Sequence, residues 1–521
     1  MPSIDKPFGD PDGSNTNPND LMTEFVEFST PWGGLSLNSD DPSARVIVGR
    51  KGSGKTVYLR RLQISANSNS SRFARPVERD IPPTRSIVEF NQTFRNHNLV
   101  ELWTDIWRKA IFRSLASLFM FDPIMSANLS TRVVSKLTNQ LRPILSRNTS
   151  PVTVYSQVQE IINRFHGWDN LDNFLQNPVW GDLEWEIGEL MKNSPPIFLY
   201  VDAMDEEYER APKIWLSCQL GLFYQVFRLL RNEQLGGRLH VVVAIRELVY
   251  ASVMQSEHRT RYFSGNYTRV LNWDYDAIRY FFNRKIEALD PKYFVGNSSG
   301  EKNISSWLGV SKIRNMNRKI TENIDDYLIR HTRLLPRDIV ILGNRLINEL
   351  QNNLMFQNKP VDDVIRRTVS EVATHFGAEQ IGICAGQIAS NTMPMFADKH
   401  DISDIYLSNE DYLSQIAREL TRLIHNSKYD RFDASSLQKM RETGRKIFGD
   451  SADIPSVLWQ NGLLGFVKMP KVGKPENVFL SEARLADLHL PLDQEQYVFH
   501  SCLIESARIS GLGNIPVQQF P

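Results

Sequence analysis

The octapeptide Gly49-Arg50-Lys51-Gly52-Ser53-Gly54-Lys55-Thr56 puts glycine, glycine, lysine and threonine at the spacing G-x-x-x-x-G-K-[ST]. Glycines at those places let successive backbone N–H groups converge on one point, a geometry that cradles phosphates. Lys55 then supplies the charge that reaches the β- and γ-phosphates of a nucleotide, and the Thr56 hydroxyl is a hard oxygen ligand for Mg²⁺. Further along, "IFLYVDAMDEE" sets Asp202 directly after an apolar run, with Asp205 and Glu206 just beyond. A carboxylate at the end of a buried strand beside such a loop holds Mg²⁺ through its water shell, which gives Thr56 and Asp202 the metal role. Hydrolysis also needs a base to orient and deprotonate water; Glu206 is the first choice and Asp205 the second.

These groups work only if a buried strand feeds the loop and a helix leaves it. "ARVIV" and "TVYLRRLQISA" supply both. "RSIVEF" at 85–90 predicts a second strand, and "IFLYV" at 197–201, "HVVVAI" at 240–245 and "TRVLNW" at 268–273 predict three more, rich in β-branched residues as buried parallel strands are. Their alternation with helical patterns predicts an α/β fold with a parallel sheet. The long interval between Lys55 and Asp202 leaves room for a helical insertion around 91–192. Residues 21–274 form the expected core, 275–400 a helical lid, and 401–521 a further domain. The first twenty residues, rich in Pro, Gly, Asn and Asp, predict a flexible arm.

Among 521 residues, Lys+Arg and Asp+Glu both number 60, so net charge gives no global pull toward nucleic acid or membrane. The longest apolar runs are strand-sized and no basic-then-apolar leader is seen, so a cytoplasmic protein without a membrane segment is expected. Cys218, Cys384 and Cys502 form no C-x-x-C pair and are expected as buried spectators.

"GRKGSGKT" and "FLYVDAMDE" together resemble the P-loop NTPases of the additional-strand catalytic-glutamate division, closest to bacterial STAND and AAA-like ATPases. The resemblance implies ATP and Mg²⁺ as cofactors, ATP hydrolysis, and a homo-oligomer or an operon-encoded protein partner, in settings such as phage defence. It implies that Arg246, closing "HVVVAIRE", senses the γ-phosphate; a simple salt bridge is the other reading. It also implies a lid arginine, for which Arg337 after Pro336 is the candidate; an ordinary helix start is the other reading. An arginine supplied by a neighbouring subunit would complete such sites, and Arg228, Arg231 and Arg261 are unranked candidates. GTP is disfavoured because "NKPVDD" has Val361 where a base-reading aspartate belongs.

The tail stretch "LWQNGLLGFVKMPKVGKPENVFLS" reads as helix, turn, strand, hairpin and strand, a winged-helix-like pattern. Its wing would carry Lys468, Lys471 and Lys474, which suit DNA phosphates, while protein docking or inert packing are the other uses of such a domain. His500 is expected to be structural. Two functions follow: an ATP-driven regulatory switch acting through assembly or a partner, or an ATP-dependent DNA-binding protein of origin-recognition or transcription-control type. A nucleotide-binding scaffold with little turnover is a third.

Overall fold

The computed structural model describes residues 6–23, 25, 43–79, 82–126, 151–202, 212–235, 237–256, 262, 267–296, 300–316, 320–357, 359–392, 410–468, 476–480, 489–507 and 509. Five strands make one all-parallel sheet: β1 (Val46–Val48), β2 (Phe73–Ala74), β3 (Ile197–Val201), β4 (Leu239–Ile245) and β5 (Thr268–Val270). Their spatial order is β2-β3-β4-β1-β5. Val48 pairs with Ile245 and Val201 with Val243, so β4 separates β1 from β3. Successive residues face opposite layers. Val46, Val48, Leu199 and Val243 pack into a core with Trp103, Trp107 and Trp215, while Ile47, Tyr200 and Val242 pack against Tyr58, Leu59 and Leu62 of the helix Lys55–Asn67. Burial on both faces is why these strands read as unbroken apolar runs.

The expected strand at 85–90 is corrected: the segment lies in the helix Thr84–Thr93, with Ile87, Val88, Phe90 and Asn91 buried. The edge position is filled instead by the two-residue β2. The last strand also ends earlier than expected, because the Asn272 amide turns back onto the Val270 carbonyl at 3.1 Å. Between β2 and β3 lie the helices Thr84–Thr93, Leu99–Phe121, Val154–Arg164, Trp168–Leu175 and Val179–Lys192. Asn98 and Thr153 cap the second and third by accepting from the Glu101 and Ser156 amides. The apolar sides of these helices share one core with the sheet rather than forming a body of their own.

Beyond β5 the helices Tyr275–Glu287, Pro336–Asn352 and Val361–Thr392 accompany a hairpin of β6 (Lys312–Asn315) and β7 (Ile320–Asn323). The tail holds helices Glu410–His425, Ala434–Phe448 and Ile454–Gln460 with four antiparallel strands, β8 (Arg431–Asp433), β9 (Leu464–Lys468), β10 (Glu476–Val478) and β11 (Gln496–Phe499), ordered β10-β9-β11-β8. Tail and helical region share a second core. Phe8 is part of it and is fully buried, so the loose arm expected over 1–20 is corrected for the described residues around Phe8. The three cysteines are buried and form no disulfide, and burial pushes their thiols up. Among the described residues no helix is long and apolar enough to cross a membrane.

Candidate nucleotide site

The glycine-rich loop leaves β1 tied to both neighbouring strands. Gly49 donates its amide to the Ile245 carbonyl at 3.2 Å, and the Val48 carbonyl accepts from Leu271 at 2.7 Å. Gly52 and Gly54 have φ of 87° and 94°, the left-handed region that a side chain resists. Gly54 is also the N-cap of the helix Lys55–Asn67, so that helix opens at the loop with its unsatisfied N–H groups and positive dipole end. Two further contacts hold the loop. Trp273 Nε1 donates to the Ser53 carbonyl at 2.9 Å, and the Arg337 amide donates to the Gly52 carbonyl at 3.3 Å.

Lys55 is buried, and its Nζ donates to the carbonyls of Gly49 and Arg50, both at 3.0 Å. The ammonium is thus folded inside the loop. Thr56 donates its hydroxyl to Asp202 Oδ2 at 2.6 Å. Asp202 directly follows β3, where its amide donates to the Glu78 carbonyl at 3.1 Å and its carbonyl accepts from the Tyr155 hydroxyl. Tyr155 in turn donates its amide to Glu78 Oε2 at 3.2 Å. Glu78 and Tyr155 therefore fix the backbone that presents Asp202, a role the sequence offered no spacing signal for. A hydroxyl and a carboxylate, both hard oxygen donors, suit Mg²⁺, which takes one or two protein ligands and fills the rest with water and substrate phosphate oxygens. The Thr56–Asp202 pair fits that sparse mode; no cluster of three or more His, Cys, Asp or Glu suited to a metal occurs among the described residues. Asp205, Glu206 and Arg261 lie outside the described residues.

Arg246 follows β4 directly, is buried, and N-caps the helix Glu247–Gln255; its amide donates to Gln219 Oε1 at 3.2 Å. The register brings the ends of β1, β4 and β3 side by side, so Gly49, Arg246 and Asp202 share one rim of the sheet. Ligands of open α/β sheets bind at this carboxyl rim. Arg337 opens the helix Pro336–Asn352 against the loop: a Cβ on Gly52 would sit 3.1 Å from Arg337 Cβ. Its Nη1 is 4.0 Å from Glu379 Oε1. Next to it Arg333 grips the buried Asp338 in fork fashion, Nε to Oδ2 at 2.8 Å and Nη2 to Oδ1 at 2.7 Å, and reaches Glu379 at 3.2 Å. Glu379 thereby bridges two arginines. Of the neighbour-subunit candidates, Arg228 lies 3.8 Å from Asp105 and Arg231 has its guanidinium over Tyr262.

The tail meets the same loop. Arg50 Nε is 3.8 Å from Glu247 Oε1, and a Cβ on Gly462 would lie 3.1 Å from Arg50 Nη1. The helix Ile454–Gln460, which leads into β9, buries Ile454, Pro455, Val457, Leu458 and Trp459. Gln387 of the long helix Val361–Thr392 donates to Gln460 Oε1 at 2.5 Å and accepts from Asn461 Nδ2 at 2.8 Å. In this arrangement that helix is packed against protein. Lys468 is exposed at the end of β9, while Lys471 and Lys474 lie outside the described residues. His500 is buried beside Cys502, with Nδ1 3.0 Å from Sγ, and burial followed by the charges of His331, Arg333 and Arg50 brings its pKa down to about 3. It is a neutral packing group at ordinary pH.

Comparisons with protein-family models, with curated proteins and with solved structures find no match for this chain.

Proposed function

We propose that the chain is a Mg²⁺-dependent ATPase that works as a regulatory switch. The observation that carries this reading is the meeting of Thr56 and Asp202 at 2.6 Å on the rim where the glycine-rich loop opens a helix. The interposed β4 agrees with the additional-strand architecture that the motifs resemble. In this reading the loop amides and Lys55 hold the β- and γ-phosphates, which requires Lys55 to exchange the Gly49 and Arg50 carbonyls for phosphate oxygens. Thr56 and Asp202 would hold Mg²⁺, which when bound neutralises charge developing on the phosphates. Glu206, or else Asp205, deprotonates the attacking water, and Arg246 and Arg337 act on the γ-phosphate side.

Arg337 makes the switch physical. It belongs to the helical region 275–392, touches Gly52 directly, and is the lid arginine of this account. Arg50 extends the same loop to the tail at Gly462, so a change of loop conformation bears on both regions. Output passes through self-assembly or a protein partner, with bacterial defence as the setting the resemblance implies. The alternative is ATP-dependent DNA binding by a winged-helix-like tail, whose helix Ile454–Gln460 is here packed through Ile454, Pro455, Val457, Leu458 and Trp459.

The test is phosphate release from ATP by the wild type, Lys55→Ala and Glu206→Gln, with particle mass followed by light scattering. Release by the wild type alone, with mass growing in ATP, is expected. Equal release by all three, or none by any, removes the ATPase assignment.

A further inference from the structure

We infer that residues 6–14 are a strap that ties the helical region 275–392 to the helix following the glycine-rich loop, so that the two cannot part until one end of the strap, at Phe8 or at Arg60, is released. One end is anchored in the helical region. The Phe8 ring lies 5.3 Å from Trp307 and 5.8 Å from Phe282, its amide donates to Asn344 Oδ1 at 2.9 Å, and Asn344 Nδ2 donates to the Gly9 carbonyl at 2.9 Å. Gly343 leaves room for the ring, since a Cβ there would fall 2.6 Å from Phe8 Cγ. The other end is anchored on the helix Lys55–Asn67. Arg60 Nη1 donates to the carbonyls of Gly13 at 2.5 Å and Ser14 at 3.2 Å, and Gly13 lies against Val57.

Between the anchors the strap is preformed by its own polar groups. Lys6 pairs with Asp10 at 2.7 Å, Asp10 Oδ1 accepts from the Asp12 amide, and Asp12 Oδ1 accepts from the Ser14 amide, both at 2.9 Å. Such turns are the local structure that aspartate favours. The contacts close a ring. The helix Pro336–Asn352 touches the loop at Arg337 and Gly52, meets the strap about two turns later at Gly343 and Asn344, and the strap returns to Val57 and Arg60 beside Thr56. The other contacts with the loop, Arg337 and Leu335 on Gly52 and Trp273 on the Ser53 carbonyl, lie at or before the start of that helix, about which it could pivot. The second attachment turns that pivot into a closed clamp, and its release becomes a step in any opening of the site.

The inference does not depend on ATP being the ligand, and its test is read without nucleotide. Spin labels are placed at Ser70→Cys and Tyr280→Cys, both exposed, in the full chain, whose three native cysteines are buried. The wild type is expected to give one narrow label-to-label distance, and Phe8→Ala and Arg60→Ala each a broader and longer one. Arg60→Ala leaves the core around Phe8 intact, so its effect is not a packing defect. Unchanged distances in both variants overturn the strap. A second arm follows dissociation of a fluorescent ATP analogue with Mg²⁺, expected to be about tenfold faster in either variant, as loss of a closed state implies. No binding by any of the three proteins defeats the proposed function, while the distances still decide the strap.

Discussion

Thr56 and Asp202, 146 residues apart in the chain, are joined by a 2.6 Å hydrogen bond from hydroxyl to carboxylate. Thr56, in the first turn of the helix Lys55–Asn67, and Asp202, the residue after β3, meet at the sheet's carboxyl rim with β4 lying between β1 and β3. Thr56→Ala is expected to remove the part of nucleotide affinity that depends on Mg²⁺, about 1.5–3 kcal/mol for a hydrogen-bonded charged site. Titration of a fluorescent ATP analogue with Mg²⁺ and with chelator measures it, and an equal Mg²⁺ response in wild type and variant contradicts the assignment.

Gly52→Ala should be damaging out of proportion to one methyl group. A φ of 87° costs an L-residue about 1–2 kcal/mol, and the new Cβ would press Arg337 Cβ at 3.1 Å. Thermal unfolding should report the strain, and nucleotide titration a loss of affinity beyond it. Wild-type values in both would show that Arg337 does not rest on the loop.

Asp338 is fully buried in the fork of Arg333. Asp338→Ala leaves a guanidinium in the core without its main partner, and is expected to cost about 3–5 kcal/mol in chemical denaturation. Because Arg333 and Arg337 share Glu379, the same variant should also loosen Arg337 and weaken ATP more than ADP. Loss of stability with unchanged discrimination would separate Arg333 from the site.

Acid should destabilise the fold through histidine before carboxylates titrate. His500 and His240 are each held down to about 3, by burial first and then by nearby positive charges, and His331 is lowered for the same reasons. An unfolded histidine takes a proton near pH 6.5. The folded values lie below the unfolded one, so this stability is fully present above about pH 6.5 and is lost as pH falls toward 3, by about 1.4 kcal/mol per pH unit for His500 and for His240, with His331 contributing in the same direction. Urea midpoints measured from pH 7 to pH 5 should fall, and His500→Gln should flatten the slope by one group's share. A slope unchanged by the substitution contradicts this.

The sheet was largely legible because buried parallel strands leave long β-branched runs, as "IFLYV" and "HVVVAI" do. "RSIVEF" misled for the opposite reason: a short apolar run does not declare its period, and here Ile87, Val88 and Phe90 pack as one side of a helix. The true edge strand, Phe73–Ala74, is too short to leave a pattern. At the site, the loop and Asp202 are local motifs and could be read directly. Glu78, Tyr155, Trp273 and the Arg333–Asp338 pair act through contacts distant in sequence that carry no spacing. Phe8 is the extreme case, one aromatic residue in a polar segment whose partner Asn344 lies 336 positions away.

The most direct test of the account is calorimetric titration of the whole chain with ATP and Mg²⁺, run beside Lys55→Ala. The account predicts one site per chain in the wild type, and a loss of about two orders of magnitude in affinity when the buried ammonium is removed, the scale of a charge-assisted phosphate contact. Equal affinity in both proteins, or no binding by the wild type, would contradict the claim that the loop at Gly49–Thr56 is a nucleotide cradle.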